Sequence, residues 1–261
     1  YNIILSSLLP TINSFLVWEF CMVKKQPLLI GAHVSTAGGF DKAIKRGESI
    51  GCSVIQFFTK SNRQWFTSPL SHEAITAFKQ TLHHSPTVKY VAAHAAYLIN
   101  LASANHDVQN KSIDALQQEL QRCEFLTIPY LVLHPGSNNE ADEQHILTTI
   151  ARNLDLVIES VPGSTLILLE TMAGQGGTLC YSFEQIAFIL ERVKNKNRVG
   201  VCLDTCHTFV AGYDQRTQET YGSMWHKFDT IIGRNNLKFI HVNDSKKELG
   251  SRVDRHEDIG K

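Results

Sequence analysis

The chain has 261 residues, of which 43% are hydrophobic and 19% charged, and its 25 basic side chains balance 25 acidic ones. This length suits one large domain or two small ones, and the apolar fraction is enough for a sizeable core. Zero net charge excludes non-specific polyanion binding by bulk charge, while leaving open a local basic groove or a metal cluster that faces phosphates.

The segment Tyr1–Phe20 is apolar but begins without Met, has no basic start, is interrupted by Pro10 and carries Glu19 near its end. It makes a poor signal peptide and too broken a stretch for a membrane span. Met22, followed by Val23, Lys24 and Lys25, reads as a natural start. Residues 1–21 are therefore expected to be an extension outside the fold, and residues 22–261 one domain. A helix packed on the outside is the alternative.

From Leu28 onward a pattern repeats: a short apolar run ends in a polar residue, and a helical stretch follows. The runs are Leu28–Ala32, Val54–Phe58, Tyr90–Ala93, Tyr130–Leu133, Leu166–Leu169, Val199–Leu203 and Phe239–Val242. Continuous apolar runs suit strands buried on both faces of a parallel sheet. Between them, 39–50, 71–84, 107–126, 140–160, 182–196 and 217–233 read as helices, with Ser182 and Gln185 as a capping box. Their apolar stripes are core faces. Strands alternating with helices predict a TIM (β/α)₈ barrel whose eighth strand is missing from this chain. A doubly wound open sheet is the competitor, but no GxGxxG follows the first strand.

The strand ends carry the chemistry. The first run is followed by His33, the third by His94, the fourth by His134, the fifth by Glu170 and the sixth by Asp204, while His241 lies in the seventh. In a parallel barrel all of these reach the C-terminal mouth, where such enzymes keep their active sites. Any one is equally explained as a hydrogen-bonded polar residue at a strand end. Six strands delivering only His, Asp or Glu to one rim are not. His207 follows Asp204 by three residues, which makes a metal corner or, more plainly, a helix cap and a loop histidine. Such donors, converging without Cys, point to zinc or manganese, and they exceed what one tetrahedral ion takes. In SRVDRH, 251–256, Asp254 and His256 fall on the same side of an extended segment. Arg252 and Arg255 beside them suit phosphate contacts; the plainer reading is a solvated charged loop. Six cysteines, at positions 21, 52, 123, 180, 202 and 206, form no CxxC pair. Buried reduced thiols, and hence a cytoplasmic location, are expected.

The motifs GAHVSTAGG (31–39), FTKSNRQW (58–65), HAAYLINLA (94–102), LHPGS (133–137), ETMAGQGG (170–177), CLDTCHTFVAGYD (202–214), HVNDSK (241–246) and SRVDRHEDIGK (251–261) closely resemble the endonuclease IV family of apurinic/apyrimidinic endonucleases. The resemblance runs in order from about Leu28 to the last residue. It implies a TIM barrel of the xylose-isomerase-like type holding three zinc ions, with manganese possible at one position. It implies a DNA-repair phosphodiester hydrolase, of the deoxyribonuclease IV type, that cuts double-stranded DNA on the 5′ side of an abasic site and leaves a 3′-hydroxyl. By the same resemblance, His94, His134 and Glu170 hold the first zinc. Glu170 bridges to a second, held also by Asp204 and His241, and His207, Asp254 and His256 hold the third. Glu170, Asp204 and His241 are the catalytic set, around a hydroxide that bridges the first two ions. Arg63, Tyr97 and Leu98 match the residues that wedge into the duplex, an insertion made easier by the little stacking an abasic site has to lose.

The sequence departs from the family in one respect. The family's second zinc takes a further Glu from the eighth strand, and the chain stops at Lys261 before it. An incomplete barrel is therefore expected, with unpaired edges on its first and seventh strands and doubtful activity. A monomer with no membrane attachment is expected. The alternative function is a metal-dependent sugar isomerase or epimerase on the same barrel, against which SRVDRH and FTKSNRQW speak. A non-enzymatic, metal-stabilised DNA-binding protein is the third reading.

Overall fold

The computed structural model describes residues 28–139 and 142–261, together with the backbone of Ile3–Ser6. That N-terminal piece is β1 (Ile3–Ser6). The repeating units then follow in order: β2 (Leu29–His33), α1 (Phe40–Ser49), β3 (Val54–Phe58), α2 (His72–His83), β4 (Tyr90–His94), α3 (His106–Leu126), β5 (Tyr130–Leu133) and α4 (Glu143–Ser160). The second half comprises β6 (Leu166–Glu170), α5 (Phe183–Arg192), β7 (Val199–Asp204), α6 (Thr205–Ala211), α7 (Gln218–Ile231) and β8 (Leu237–Val242). A small ribbon of β9 (Asp244–Ser245) and β10 (His256–Glu257) completes it. Strands β2 to β8 pair in parallel with their sequence neighbours, giving the seven parallel staves expected from the apolar runs.

The expected unpaired edges are not what the backbone shows. Ile3–Ser6 runs antiparallel between β2 and β8, with Ile4 opposite both Gly31 and His241, and closes the barrel. The rest of the proposed extension lies outside the described residues. No helix among the described residues is long and apolar enough to cross a membrane.

Strand alternation positions the site. Val54, Ala92, Val132, Leu168, Cys202 and Phe239 fill the barrel interior as one apolar layer. Side chains two residues apart on a strand share a face. The next inward residues are therefore Gln56, His94, His134, Glu170, Asp204 and His241, one floor above that layer. On β2 the layer position is Gly31, where a Cβ would lie 1.5 Å from the Val54 carbonyl oxygen, so only glycine allows β2 and β3 this approach. His33 stands two residues beyond it. The outward residues, such as Val91, Leu131, Ile167 and Val201, pack against the helices in the main core with Phe78, Leu120, Leu154 and Ile186. Each such fully buried side chain contributes about 1.5–3 kcal/mol. A dry apolar plug thus supports the polar floor from below.

The helices begin where capping chemistry allows. Ser71, Asn105, Asp142, Ser182 and Thr217 each accept a backbone N–H from the first turn of the helix that follows. The expected Ser182–Gln185 capping box is only half present. Ser182 accepts the Gln185 amide N–H, but the Gln185 side chain instead accepts from Cys180 and Tyr181 and donates to Glu143. The reciprocal box belongs to Thr217 and Thr220.

Candidate metal centre

The polar floor opens into a cavity of about 470 Å³ lined by His94, His134, Glu170, His207, His241, Asp254 and His256, with His33, Gln56, Tyr97 and Arg255. Asp204 lies beneath it, wholly buried. Glu170, 1% exposed, is the hub. Its Oε2 lies 3.2 Å from His94 Nε2 and 3.0 Å from His134 Nε2, and its Oε1 lies 2.8 Å from His241 Nδ1 and 3.5 Å from His207 Nδ1. Asp204 serves both as helix cap and as candidate ligand. Its Oδ1 caps α6 by accepting the His207 amide at 2.9 Å, and its Oδ2 lies 3.8 Å from both His241 Nδ1 and His256 Nε2. The turn of α6 swings His207 toward the outer loop, where its Nε2 lies 3.2 Å from Asp254 Oδ2 and 3.2 Å from His256 Nε2. The β9–β10 ribbon holds that loop against the barrel mouth.

The hydrogen bonds fix which nitrogens are available. His94 Nδ1 donates to the Ala95 carbonyl at 2.7 Å and His207 Nδ1 to the Thr171 carbonyl at 2.8 Å. His241 Nε2 donates to Gln56 Oε1 at 3.1 Å. In the neutral rings the other nitrogen then carries a lone pair, and each of these lone pairs faces a carboxylate oxygen. Acceptors facing acceptors in a buried site are stable only with a cation between them, either a proton or a metal. A backbone carbonyl or amide behind the ring is also the usual way a ligating histidine is oriented. Candidate donor atoms within 4.8 Å of one another occur in His94–His134–Glu170, in His207–Asp254–His256 and in Glu170–Asp204–His207. Glu170 and His241 form a further group with Cys202, and Asp204 and His256 another with Cys206. Burial pushes both thiols up, Cys202 well above its ordinary range and Cys206 to about 12, so the carboxylates and imidazoles beside them are the readier donors. The donor set is oxygen and imidazole nitrogen, which fits zinc or manganese.

Metal aside, burial and the cluster's own groups set each charge, raising the pKa of His207 and His241 and lowering that of His134 and His33. Burial opposes the charge on Glu170, but His241 and His134 hold its carboxyl well below the ordinary carboxylate range. Burial likewise opposes protonation of His207, yet Asp204, Asp254 and Glu170 push its pKa up to about 10. His33 moves the other way, down to about 4, through burial and the neighbouring His94. Each histidine ordinarily titrates near 6.5. A raised pKa contributes stability below 6.5 that is lost as pH rises toward 10, and a lowered one contributes instability as pH falls toward 4. In chelator, thermal stability should therefore peak near pH 6.5 and decline on both sides. Saturating zinc should raise the alkaline side most, because metal and protons compete for the same nitrogens. A melting temperature in chelator that climbs steadily from pH 6.5 to 9 would contradict this.

All eight residues expected to bind metal meet at this mouth. Tyr97, 57% exposed, stands over it with its ring stacked 5.2 Å from that of His134. Leu98 is half-buried beside it, and Arg63 is exposed on the neighbouring loop. Arg255 lines the cavity, whereas Arg252 turns away and stacks 4.4 Å over the Tyr181 ring.

Sequence reasoning missed Gln56. It is 1% exposed, its Oε1 accepts from both His33 (3.2 Å) and His241 (3.1 Å), and its Nε2 has no hydrogen-bond partner among the described residues. The amide holds His241 in the tautomer that aims Nδ1 at Glu170. Gln56→Leu should lower zinc affinity by about 10–100-fold while leaving the fold intact. Competition with a chromophoric chelator measures it, and an unchanged affinity would show that His241 needs no such guide.

A family model described as "Xylose isomerase-like TIM barrel" matches residues 44–261. A protein of Chloroflexus aggregans called "Probable endonuclease 4" is 46% identical over 231 residues, which is 88% of this chain and 80% of that protein. One of the same name from Geotalea daltonii is 47% identical over 233 residues, 89% of this chain and 81% of that protein. Among solved structures, endonuclease IV from Thermus thermophilus superposes with a TM-score of 0.75 at 30% identity, covering 86% of this chain and 80% of that one. A D-tagatose 3-epimerase-like protein shares the fold at a TM-score of 0.65 and 19% identity, covering 88% and 80% of the two chains.

Proposed function

This chain belongs to the endonuclease IV family, within the xylose isomerase-like TIM barrels, and from that membership we propose that it is a zinc-dependent abasic-site endonuclease. It would hydrolyse the phosphodiester on the 5′ side of an abasic site in double-stranded DNA and leave a 3′-hydroxyl. The observation that carries this reading is the buried convergence of imidazole lone pairs on carboxylate oxygens around Glu170. His94, His134 and Glu170 would hold one ion, Glu170, Asp204 and His241 a second, and His207, Asp254 and His256 a third, with manganese able to replace zinc at one of them. Divalent ions held there would supply Lewis-acid activation of water and charge neutralisation at phosphorus.

The chain's own groups do the rest. Gln56, Ala95 and Thr171 keep the ligating rings in one tautomer. Arg255 at the rim suits a phosphate oxygen. Arg63, Tyr97 and Leu98 would enter the duplex and take the place of the stacking that the abasic nucleotide lacks. Buried unpaired thiols at Cys52, Cys123, Cys180, Cys202 and Cys206 suit a reducing compartment, and we place the protein, as a monomer, in the cytoplasm.

The test is incision of an oligonucleotide duplex with one abasic site by the zinc-loaded chain, against the same duplex intact and against a panel of ketoses. Cleavage confined to the abasic duplex and abolished by chelator is expected. Turnover of a ketose without incision would assign the barrel to sugar isomerisation instead.

A further inference from the structure

Helix α3 carries, beside its apolar stripe, a polar stripe that is almost entirely buried. Glu119 is fully buried, Lys60 facing it is 8% exposed, and Arg122 one turn on is 7% exposed. On a barrel helix such groups belong in solvent unless they are paired. Their partners lie in the two loops that carry the proposed wedge residues. Arg122 donates to the carbonyls of Thr59 and Ser68, and Gln118 clasps the Thr67 backbone through both its N–H and its C=O. These contacts grip the loop after β3, which bears Arg63. Glu119 Oε1 accepts the Ala96 amide at 3.0 Å, in the loop that bears Tyr97 and Leu98. The same oxygen lies 3.0 Å from Lys60 Nζ, which donates to the Gln64 carbonyl at 2.6 Å. A single carboxylate oxygen therefore ties the residue after Arg63 to the residue before Tyr97.

We infer that Glu119, with Lys60, is a positioning residue that sets the spacing between the two wedge loops and so determines preference for an abasic duplex; this rests on the functional reading above. Neither residue lines the metal cavity. A sheet-end loop is otherwise among the most mobile parts of a barrel. Here backbone groups of both loops, at Thr59, Thr67, Ser68 and Ala96, are held by α3 side chains, and Lys60 links its own loop to the same Glu119 oxygen, so a shift of either loop strains that shared oxygen. One oxygen of Glu119, Oε2, has no hydrogen-bond partner among the described residues, so the carboxylate's pairing is concentrated on the atom that joins the loops.

The zinc-loaded chain and two double variants test this. Lys60→Met with Glu119→Leu removes both polar groups together and leaves no lone buried charge. Lys60→Met with Glu119→Gln restores an acceptor for Ala96 alone. Two substrates separate positioning from chemistry: a duplex with a tetrahydrofuran abasic analogue, and bis(p-nitrophenyl) phosphate, a diester with no duplex to seat. K60M/E119L should bind the abasic duplex about tenfold or more weakly, with K60M/E119Q in between. Diester turnover and zinc content should match the parent in both. Energetic coupling between Arg63→Ala and Tyr97→Ala is expected in the parent and should vanish in the K60M/E119L background. Parental duplex affinity in both variants, or diester turnover that falls in step with duplex binding, would overturn the inference alone. A parent with no preference for the abasic duplex would overturn the functional reading and this inference with it.

Discussion

Glu170→Gln is expected to strip the cavity of most of its zinc and to lower abasic-site incision by at least about 10³-fold. Both carboxylate oxygens are in use: Oε2 faces His94 and His134, and Oε1 faces His241 and His207. Gln fills the same volume but is neutral, and it turns one of the two oxygens into an N–H donor that cannot ligate a metal. That donor can still satisfy a histidine lone pair, so the metal-free fold should survive. The loss would then be one of charge and coordination, seen in metal analysis of a protein whose circular dichroism is unchanged. A folded Glu170→Gln variant that retains its zinc and cuts at the parental rate would remove Glu170 from the centre of the site.

Asp204→Asn and His207→Ala should each abolish incision, yet each should release about one ion and not the same one. The two residues are neighbours on one turn and share His256 as a neighbour, so the expectation rests on which other donors each faces. Asp204 Oδ2 accepts from Asn243 Nδ2 at 2.7 Å and lies 3.8 Å from both His241 Nδ1 and His256 Nε2, whereas His207 Nε2 lies 3.2 Å from both Asp254 and His256. Asn is as good a helix cap as Asp, so Asp204→Asn keeps α6 started and isolates the loss of charge. His207→Ala leaves Asp254 and His256 as two half-buried donors on an outer loop, too few to hold an ion. Zinc content should fall by the sum of both losses in the double variant. Loss of one shared ion in all three variants would contradict the division.

The sequence was most legible where strand periodicity and chemistry coincide. Short apolar runs located all seven parallel strands, and reading the polar residue that follows a run found His94, His134, Glu170 and Asp204, with His241 read inside the seventh, because the C-terminal rim of a parallel barrel collects them. The two-residue step from the interior layer to the polar floor explains why that rule works here. Gln56 escaped it because it is a neutral amide inside the run VIQFF, where nothing local marks it as facing the cavity. Lys60 and Glu119 escaped it because their partners are backbone atoms and each other, brought together from distant parts of the chain. Pattern alone could not divide Asp204 from His207; the division rests on the family resemblance, since the fold also brings Asp204, His207 and Glu170 together and sets Asp204 Oδ2 3.8 Å from His256 Nε2. The backbone pairing of Ile3–Ser6 was not foreseen either, since an apolar segment of mixed pattern has no periodicity that fixes its partner.

The most direct measurement is anomalous diffraction at the zinc edge from crystals of the zinc-loaded chain. Three peaks are expected at the barrel mouth: one among His94, His134 and Glu170, one among Glu170, Asp204 and His241, and one among His207, Asp254 and His256. A single peak at the mouth, or zinc bound only at surface histidines such as His72 and His83, would contradict a centre built by the strand ends.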